Sequence, residues 1–388
     1  MKVLIVGSAD TIFITNYVKS LKKVMDIEVH VYSPHPRTGN YDSYPYDYVH
    51  FEDEIKFKSK LLNKVQFLLT PFIFKKRLSR FLKKQKTVYD IIHFHRIFPG
   101  WVVPPNSYKK YCKKMLMTYW GGELDVEHIL FSKRIYRYWL KKMFKKTDMV
   151  LNSFSDKRYF QWFPFIRNKS QYAVFGSSIV NEINDYKGTR EDAKKELGIH
   201  KDTITVLLGY SGKRMHNQGK IFKRVVEDSN YQANKEKFHF IVSMTRGGSE
   251  EFATELENGF KEAGASYTII KGGYSSDRDV AILRLATDFV FQLSDFDAVS
   301  ASIRECICAG SVVITGNWLQ YDMLKNTGFK YPEVADIDEG VKLFYHLQNN
   351  YPTCLEEYEI NKRLGENEYS WGNCIKPWAE AYKKVVLQ

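Results

Sequence analysis

The sequence predicts an α/β protein of two doubly wound halves, and three observations carry that expectation. The first is length. The chain has 388 residues, and at roughly 100–200 residues per domain two domains fit, each with its own core. The second is the opening. An apolar run at Lys2–Val6 ends in Gly7-Ser8-Ala9-Asp10, passes into a helical pattern on Phe13, Tyr17, Leu21 and Val24, and returns as an apolar run at Ile27–Tyr32. Strand, glycine turn, helix and strand is the unit from which parallel sheets are wound. The third is that the same alternation restarts near Thr203.

In the first half, further strands are expected at Ile91–Phe94, Lys114–Thr118 and Asp148–Asn152. The second half offers Thr203–Leu208, which ends at Gly209-Tyr210-Ser211-Gly212, and Phe238–Ser243, which ends near Gly247-Gly248. Ser266–Ile270 runs into Gly272-Gly273, and Asp288–Gln292 and Ser311–Thr315 complete the series. Helical patterns over Asp279–Ala286 and Ser300–Ala309 lie between strands. Gly176-Ser177-Ser178 breaks the periodicity and puts the hinge between Tyr172 and Gly188. The expected domains are therefore 1–175 and 176–368, with a closing helix at 369–388.

Hydrophobic residues make up 44% and charged residues 27%, which suits a soluble globular chain. The formal net charge is +13, a balance that favours an anionic partner. Between residues 56 and 86 there are eleven Lys/Arg and no acid, interleaved with Leu and Phe, and residues 133–146 repeat the pattern with Trp139, Tyr136 and Tyr138. Basic amphipathic helices with aromatics suit an anionic bilayer surface. No nucleic-acid module is present, so nucleic acid is not an expected partner. The best candidate for a membrane span, Val65–Phe74, contains Pro71 and is far short of the ~20 residues that span a bilayer. The five cysteines form no C-x-x-C, which reads as reduced thiols without a structural zinc. The amino terminus lacks a small-residue cleavage site. A cytoplasmic protein is expected, with basic helices suited to the inner face of the plasma membrane.

The segment richest in chemistry is Asp295-Phe296-Asp297-Ala298-Val299-Ser300-Ala301-Ser302-Ile303-Arg304-Glu305, closing at Gly310 before the β-branched run Val312-Val313-Ile314. An acid ends a strand–loop, small residues start a helix, and a second acid sits one turn in. Open N–H groups at a helix start bind anions. A diphosphate is thus expected on the amides of Val299, Ser300, Ala301 and Ser302. Glu305 would hold a ribose diol, and Asp297 would face sugar hydroxyls.

This segment resembles the E-x7-E motif of glycosyltransferase family 4 and related retaining GT-B enzymes, with the match at Asp297, Glu305, Ala309, Gly310, Val312 and Val313. Asp replaces the usual first Glu, and Val312 stands where Pro is common. The resemblance implies two Rossmann-like domains facing across a cleft, with a C-terminal helix crossing back to the first. It also implies sugar transfer from a nucleotide-sugar to a glycan or lipid-linked acceptor, without cofactor or metal. Asp295-Phe296-Asp297 is a D-x-D, the metal tripeptide of GT-A enzymes, but it lies in a chain of two such halves and no metal site is expected. The loop from Gly209 through Gly212 to Lys220 resembles the diphosphate grip of family 4, or the Gly-x-Ser loop of some fucosyl and aminofucosyl transferases, which opens an inverting alternative. Lys213, Arg214 and Lys220 are equal candidates for the cation. The resemblance implies that Gly273 and Tyr274 lie on the loop over the nucleotide base, and Arg246 is a further candidate for phosphate or sugar.

On the acceptor side, Trp120-Gly121-Gly122-Glu123 resembles the H-G-x-D or W-G-x-D stretch of polysaccharide-building GT-B enzymes. Glu123 would orient or deprotonate the acceptor hydroxyl. Gly7, Ser8 and Asp10 form the first loop, and Asp90 to His95 resembles the D-hh-H-x-H segment, with His95 towards the acceptor. The tail from Tyr369-Ser370-Trp371 resembles the closing helix of family 4 chains. The Asp for Glu and Trp for His exchanges also leave open a non-catalytic scaffold on the same fold.

Overall fold

The computed structural model of the chain describes residues 1–38, 44–55, 66–95, 108–120, 132–152, 158–274, 276–297, 299–319 and 321–387. They form two compact units, Met1–Phe175 with Trp371–Gln388, and Gly176–Ser370.

The first unit is wound on β1 (Lys2–Val6), β2 (Glu28–Ser33), β3 (Tyr48–Phe51), β4 (Tyr89–His95), β5 (Cys112–Thr118), β6 (Met149–Asn152) and β7 (Ser170–Tyr172). The sheet order is β3-β2-β1-β4-β5-β6-β7, and the pairings are parallel, with Val3 opposite Val29 on one side and Ile91 on the other. The inner strands are largely buried because both faces are covered, and β4 carries two buried polar side chains, His93 and His95. Strands β3 and β7 were not expected from the sequence: they are the half-exposed edges of the sheet, Tyr48-Val49-His50-Phe51 and Ser170-Gln171-Tyr172, and carry no continuous apolar run.

Helix Ile12–Val24 starts at Thr11, whose side chain accepts from the Ile14 amide, and it buries Ile14, Tyr17, Val18 and Leu21, one stripe at helical spacing. The final helix, Trp371–Leu387, buries Trp371, Cys374, Ile375, Trp378, Tyr382 and Val385. These side chains share a core with Val3, Ile5, Tyr17 and Leu151. The Trp378 indole donates to the Val174 carbonyl at 2.8 Å.

Of the basic segments, Gln66–Gln85 and Ser132–Lys146 are helices, while residues 56–65 lie outside the described residues. Part of the apolar stripe expected to meet lipid is core instead: Phe74, Leu78, Phe81 and Leu82 are buried. Exposed aromatics on these helices are Phe72 and Tyr138, among outward lysines such as Lys83, Lys84, Lys141 and Lys145. No helix among the described residues is long and apolar enough to cross a membrane.

The second unit holds β8 (Ile204–Leu208), β9 (Phe238–Ser243), β10 (Ser266–Ile270), β11 (Phe289–Gln292), β12 (Val312–Gly316) and β13 (Glu333–Val334). The order is β10-β9-β8-β11-β12-β13, again parallel. One face packs Phe222, Phe240, Phe260 and Phe344 beneath the helices. In both sheets the winding reverses, between β1 and β4 and between β8 and β11. Ligands of such sheets bind outside the carboxyl ends of the strands at that reversal.

Candidate functional site

At the β8/β11 reversal, the loop leaving β8 and the loop leaving β11 are tied together. The Asp295 amide donates to Met215 O at 2.9 Å. The Asn217 side-chain amide donates to Leu293 O at 2.9 Å and to Asp295 Oδ1 at 3.0 Å. The Tyr210 hydroxyl donates to Asp297 Oδ1 at 2.8 Å. The other oxygen of Asp297 accepts from the Tyr321 hydroxyl and, at 3.1 Å, from the Ser300 amide. Asp297, expected to face sugar hydroxyls, is buried with both oxygens engaged by protein donors. Its carboxylate works as a clasp joining the loops after β8, β11 and β12. Burial first, and then the Asp297 charge, push both tyrosine hydroxyls up, so they stay protonated and keep donating.

Val299 follows directly, with φ of 54°. A β-branched residue in the left-handed region is strained, and such strain gathers at functional sites. Ser300 then caps helix Ala301–Cys308, its Oγ accepting from the Ile303 amide at 3.4 Å. The Ser300 amide is given to Asp297, which withdraws it from the four amides expected to take a diphosphate and leaves those of Val299, Ala301 and Ser302.

Glu305 is buried on that helix. Its Oε1 accepts from Ser177 Oγ at 2.9 Å, and its Oε2 faces Arg284 Nη2 at 3.5 Å. Arg284 is equally buried, and among the described residues its Nε and Nη1 have no acceptor. A ribose reaching Glu305 would therefore share it with Ser177.

Gly212 and Gly248 bring the loops after β8 and β9 into contact. A Cβ on Gly212 would lie 2.5 Å from the Gly248 Cα, and the Gly212 amide donates to Arg246 O at 3.0 Å. Arg246 is exposed there, and its charge acts on the Tyr210 hydroxyl. The three basic candidates separate. Arg214 pairs with Glu255 at 2.7 Å and lies over the Phe252 ring. Lys220 lines a cavity with Asp295 and Trp318. Lys213 runs beside Gly247, on the Arg246 loop. Tyr274 binds Ser243 Oγ through its hydroxyl at 2.9 Å, and Gly273 is exposed beside it.

The acceptor-side candidates lie in the first unit. Gly7 sits against His95, where a Cβ would meet the His95 Cβ at 3.2 Å. Ser8 O accepts from Thr11 Oγ1 at 2.9 Å. Asp10 accepts from the Thr38 amide at 2.6 Å and from the Tyr44 hydroxyl. Trp120 packs edge-on against Phe13 and Phe175. Gly121, Gly122 and Glu123 lie outside the described residues. His95, expected to face the acceptor, is instead 1% exposed. The closing helix covers it through Trp378, and its Nε2 is 3.1 Å from His93 Nδ1.

Residues 11–167 match a family profile described as Glycosyltransferase Family 4. Among solved structures, sucrose-phosphate synthase from Thermosynechococcus elongatus superposes with a TM-score of 0.69 at 13% identity, over 99% of this chain and 98% of that one. A glycosyltransferase from Rickettsia africae gives 0.69 at 14%, over 99% and 98%. Anabaena HepE in complex with UDP and glucose gives 0.68 at 13%, over 99% and 100%. The chain has the GT-B fold of these structures, and its residues 11–167 are similar to family 4. Among curated proteins, none matches the sequence of this GT-B chain.

The sequence reading missed several residues that the GT-B chain places at the β8/β11 crevice. Tyr210 lay in plain view in the Gly-x-Ser turn. Tyr321, Arg284 and Ser177 carried no local signal. His216, buried against Tyr210 at 4.4 Å between ring centroids, is pushed down to about 4 by burial, so it is neutral near pH 7.

The buried histidines also set an acid limit. Burial lowers His95 from 6.5 to about 3 and lowers His93 in the same direction. The unfolded chain then binds more protons as pH falls. Stability is full above the unfolded value of 6.5 and is lost between there and pH 3. His95 alone should cost about 2 kcal/mol by pH 5. Urea melts at pH 7.5 and pH 5 should show this loss, and His95→Phe should flatten it. An unchanged slope in that variant would refute the assignment.

Proposed function

We propose that this GT-B chain transfers a hexosyl group from a nucleotide-sugar to a glycan or lipid-linked saccharide, with retention and without a metal ion. The observation that carries the reading is Val299, held at positive φ between the Asp297 clasp and a helix start at the sheet's reversal point. The family 4 profile match supports it. In this reading the Val299, Ala301 and Ser302 amides take the diphosphate. Arg246 and Lys213 balance the charge that grows as the bond from sugar C1 to the diphosphate breaks. The acceptor oxygen bonds to C1 as its proton passes to the leaving diphosphate, and Glu123 orients that hydroxyl. Asp297 holds Tyr210 and Tyr321 so that hydroxyls line the sugar's place.

HepE was solved with UDP and with UDP-glucose, so UDP leads the screen, followed by GDP and TDP. A nucleotide present at 100 times its Kd should stabilise the chain by about 2.7 kcal/mol, read as a rise in Tm. No rise with any millimolar nucleoside diphosphate would sink the proposal. The engagement of both Asp297 oxygens favours a second reading, a scaffold that binds nucleotide without turnover. In that case donor hydrolysis stays absent even with mixed acceptors.

We also propose that the Gln66–Gln85 and Ser132–Lys146 helices rest on anionic lipid. Lys141, Lys142, Lys145 and Lys146 should each add about 1 kcal/mol of attraction. Sedimentation with phosphatidylglycerol vesicles should exceed that with phosphatidylcholine and fall when these four become Glu. Equal sedimentation with both lipids would end the idea.

A further inference from the structure

A cavity of about 740 Å³ opens at the same strand edge, between the starts of helices Gln218–Glu227 and Ile337–Gln348. Its size is that of a small-molecule site. The lining combines one indole with acids, bases and an amide.

The indole belongs to Trp318, which is 41% exposed. Two features fix it. Its Nε1 donates to Ser294 O at 2.9 Å, and the ring lies so close over Gly316 that a Cβ there would overlap it. A large ring is thus pinned at the mouth of a cavity rather than folded into the core.

The charged groups around it largely answer one another. Arg224 grips Asp338 with two bonds, at 2.8 and 2.9 Å. Asp336 caps the Ile337–Gln348 helix by accepting from the Glu339 amide at 2.8 Å. Asp295 accepts from Asn217 at 3.0 Å. Such mutual pairing leaves little net field for a phosphate or a metal ion. What remains is a tethered aromatic face beside carboxylate oxygens that can accept from hydroxyls, and the Lys220 ammonium. An aromatic face takes C–H surface while fixed polar groups orient the polar edge.

We propose that this cavity binds a neutral saccharide, with Trp318 as the platform and Asp295 and Lys220 as its hydrogen-bonding partners. Asp295 lies two residues before Asp297, so a glycan held here would sit next to the clasp. The inference rests on the cavity alone and not on the donor-site reading.

The full chain, labelled with 5-fluorotryptophan, provides the test. Trp318→Phe assigns the Trp318 fluorine resonance by its loss, and the probes are millimolar maltotriose, cellotriose and chitotriose without nucleotide. At least one should move the Trp318 signal saturably while the other tryptophans stay in place, and Lys220→Ala should weaken that binding several-fold. The inference is overturned if no trisaccharide moves the signal, if all tryptophan signals move alike, or if inorganic pyrophosphate moves it and the sugars do not. A failed nucleotide screen beside a positive saccharide titration would remove the donor reading and leave this one standing.

Discussion

Glu305→Ala should destabilise the second unit by about 3–5 kcal/mol, because it leaves a buried guanidinium without its counter-charge. Arg284 is 3% exposed, and among the described residues two of its nitrogens already lack acceptors, and no second carboxylate pairs with it there. Removing both charges is a different change. Arg284→Met combined with Glu305→Leu should recover most of the stability, since an apolar pair of similar volume often replaces a buried ion pair at little cost. That double variant isolates function from folding. If Glu305 also holds the ribose, the refolded protein should bind UDP about 10- to 100-fold more weakly, the worth of one or two hydrogen bonds to a charged group. Urea melts and calorimetric titration report the two effects separately. A single Glu305→Ala variant that melts with the parent would show that the pair does not hold the unit together.

Asp297→Ala carries the second large expectation. It leaves the hydroxyls of Tyr210 and Tyr321 and the amide of Ser300 without an acceptor, at about 1–3 kcal/mol for each group that stays buried. The loops after β8, β11 and β12 would then lose their common tie, and donor turnover should fall about 10²- to 10³-fold. Tyr210→Phe removes one bond and deprives only Asp297 Oδ1 of its donor, so it should cost about 1–3 kcal/mol, less than Asp297→Ala. A clasp predicts that kcat falls in both variants, less in Tyr210→Phe, while the Kd for UDP changes little. If Asp297→Ala instead abolishes UDP binding outright in a folded protein, the carboxylate has a direct role in holding the donor.

The inner strands were legible because a parallel strand covered on both faces is a continuous apolar run, as at Val206–Leu208 and Val312–Ile314. Strands β3, β7 and β13 lie at the sheet edges, half-exposed or only two residues long, and leave no such trace. The spacing of Asp297 and Glu305 was visible for the same local reason. Their partners were not: Tyr321 is 24 residues from Asp297 and Ser177 is 128 from Glu305, separations at which periodicity says nothing. His95 shows the converse. Its strand-end position was plain, but the closing helix that buries it also places Tyr382 2.7 Å from His93, across 289 residues.

That closing helix dictates an order of events during synthesis. The first unit has its sheet early but needs Trp378 and Tyr382 to complete its core. Those residues leave the ribosome only after the contiguous second unit, Gly176–Ser370. At roughly 5–20 residues per second, the amino-terminal unit waits on the order of ten seconds or more with the flank of its sheet uncovered. The part made first is thus the part finished last, and a chaperone would find its target at the amino-terminal end.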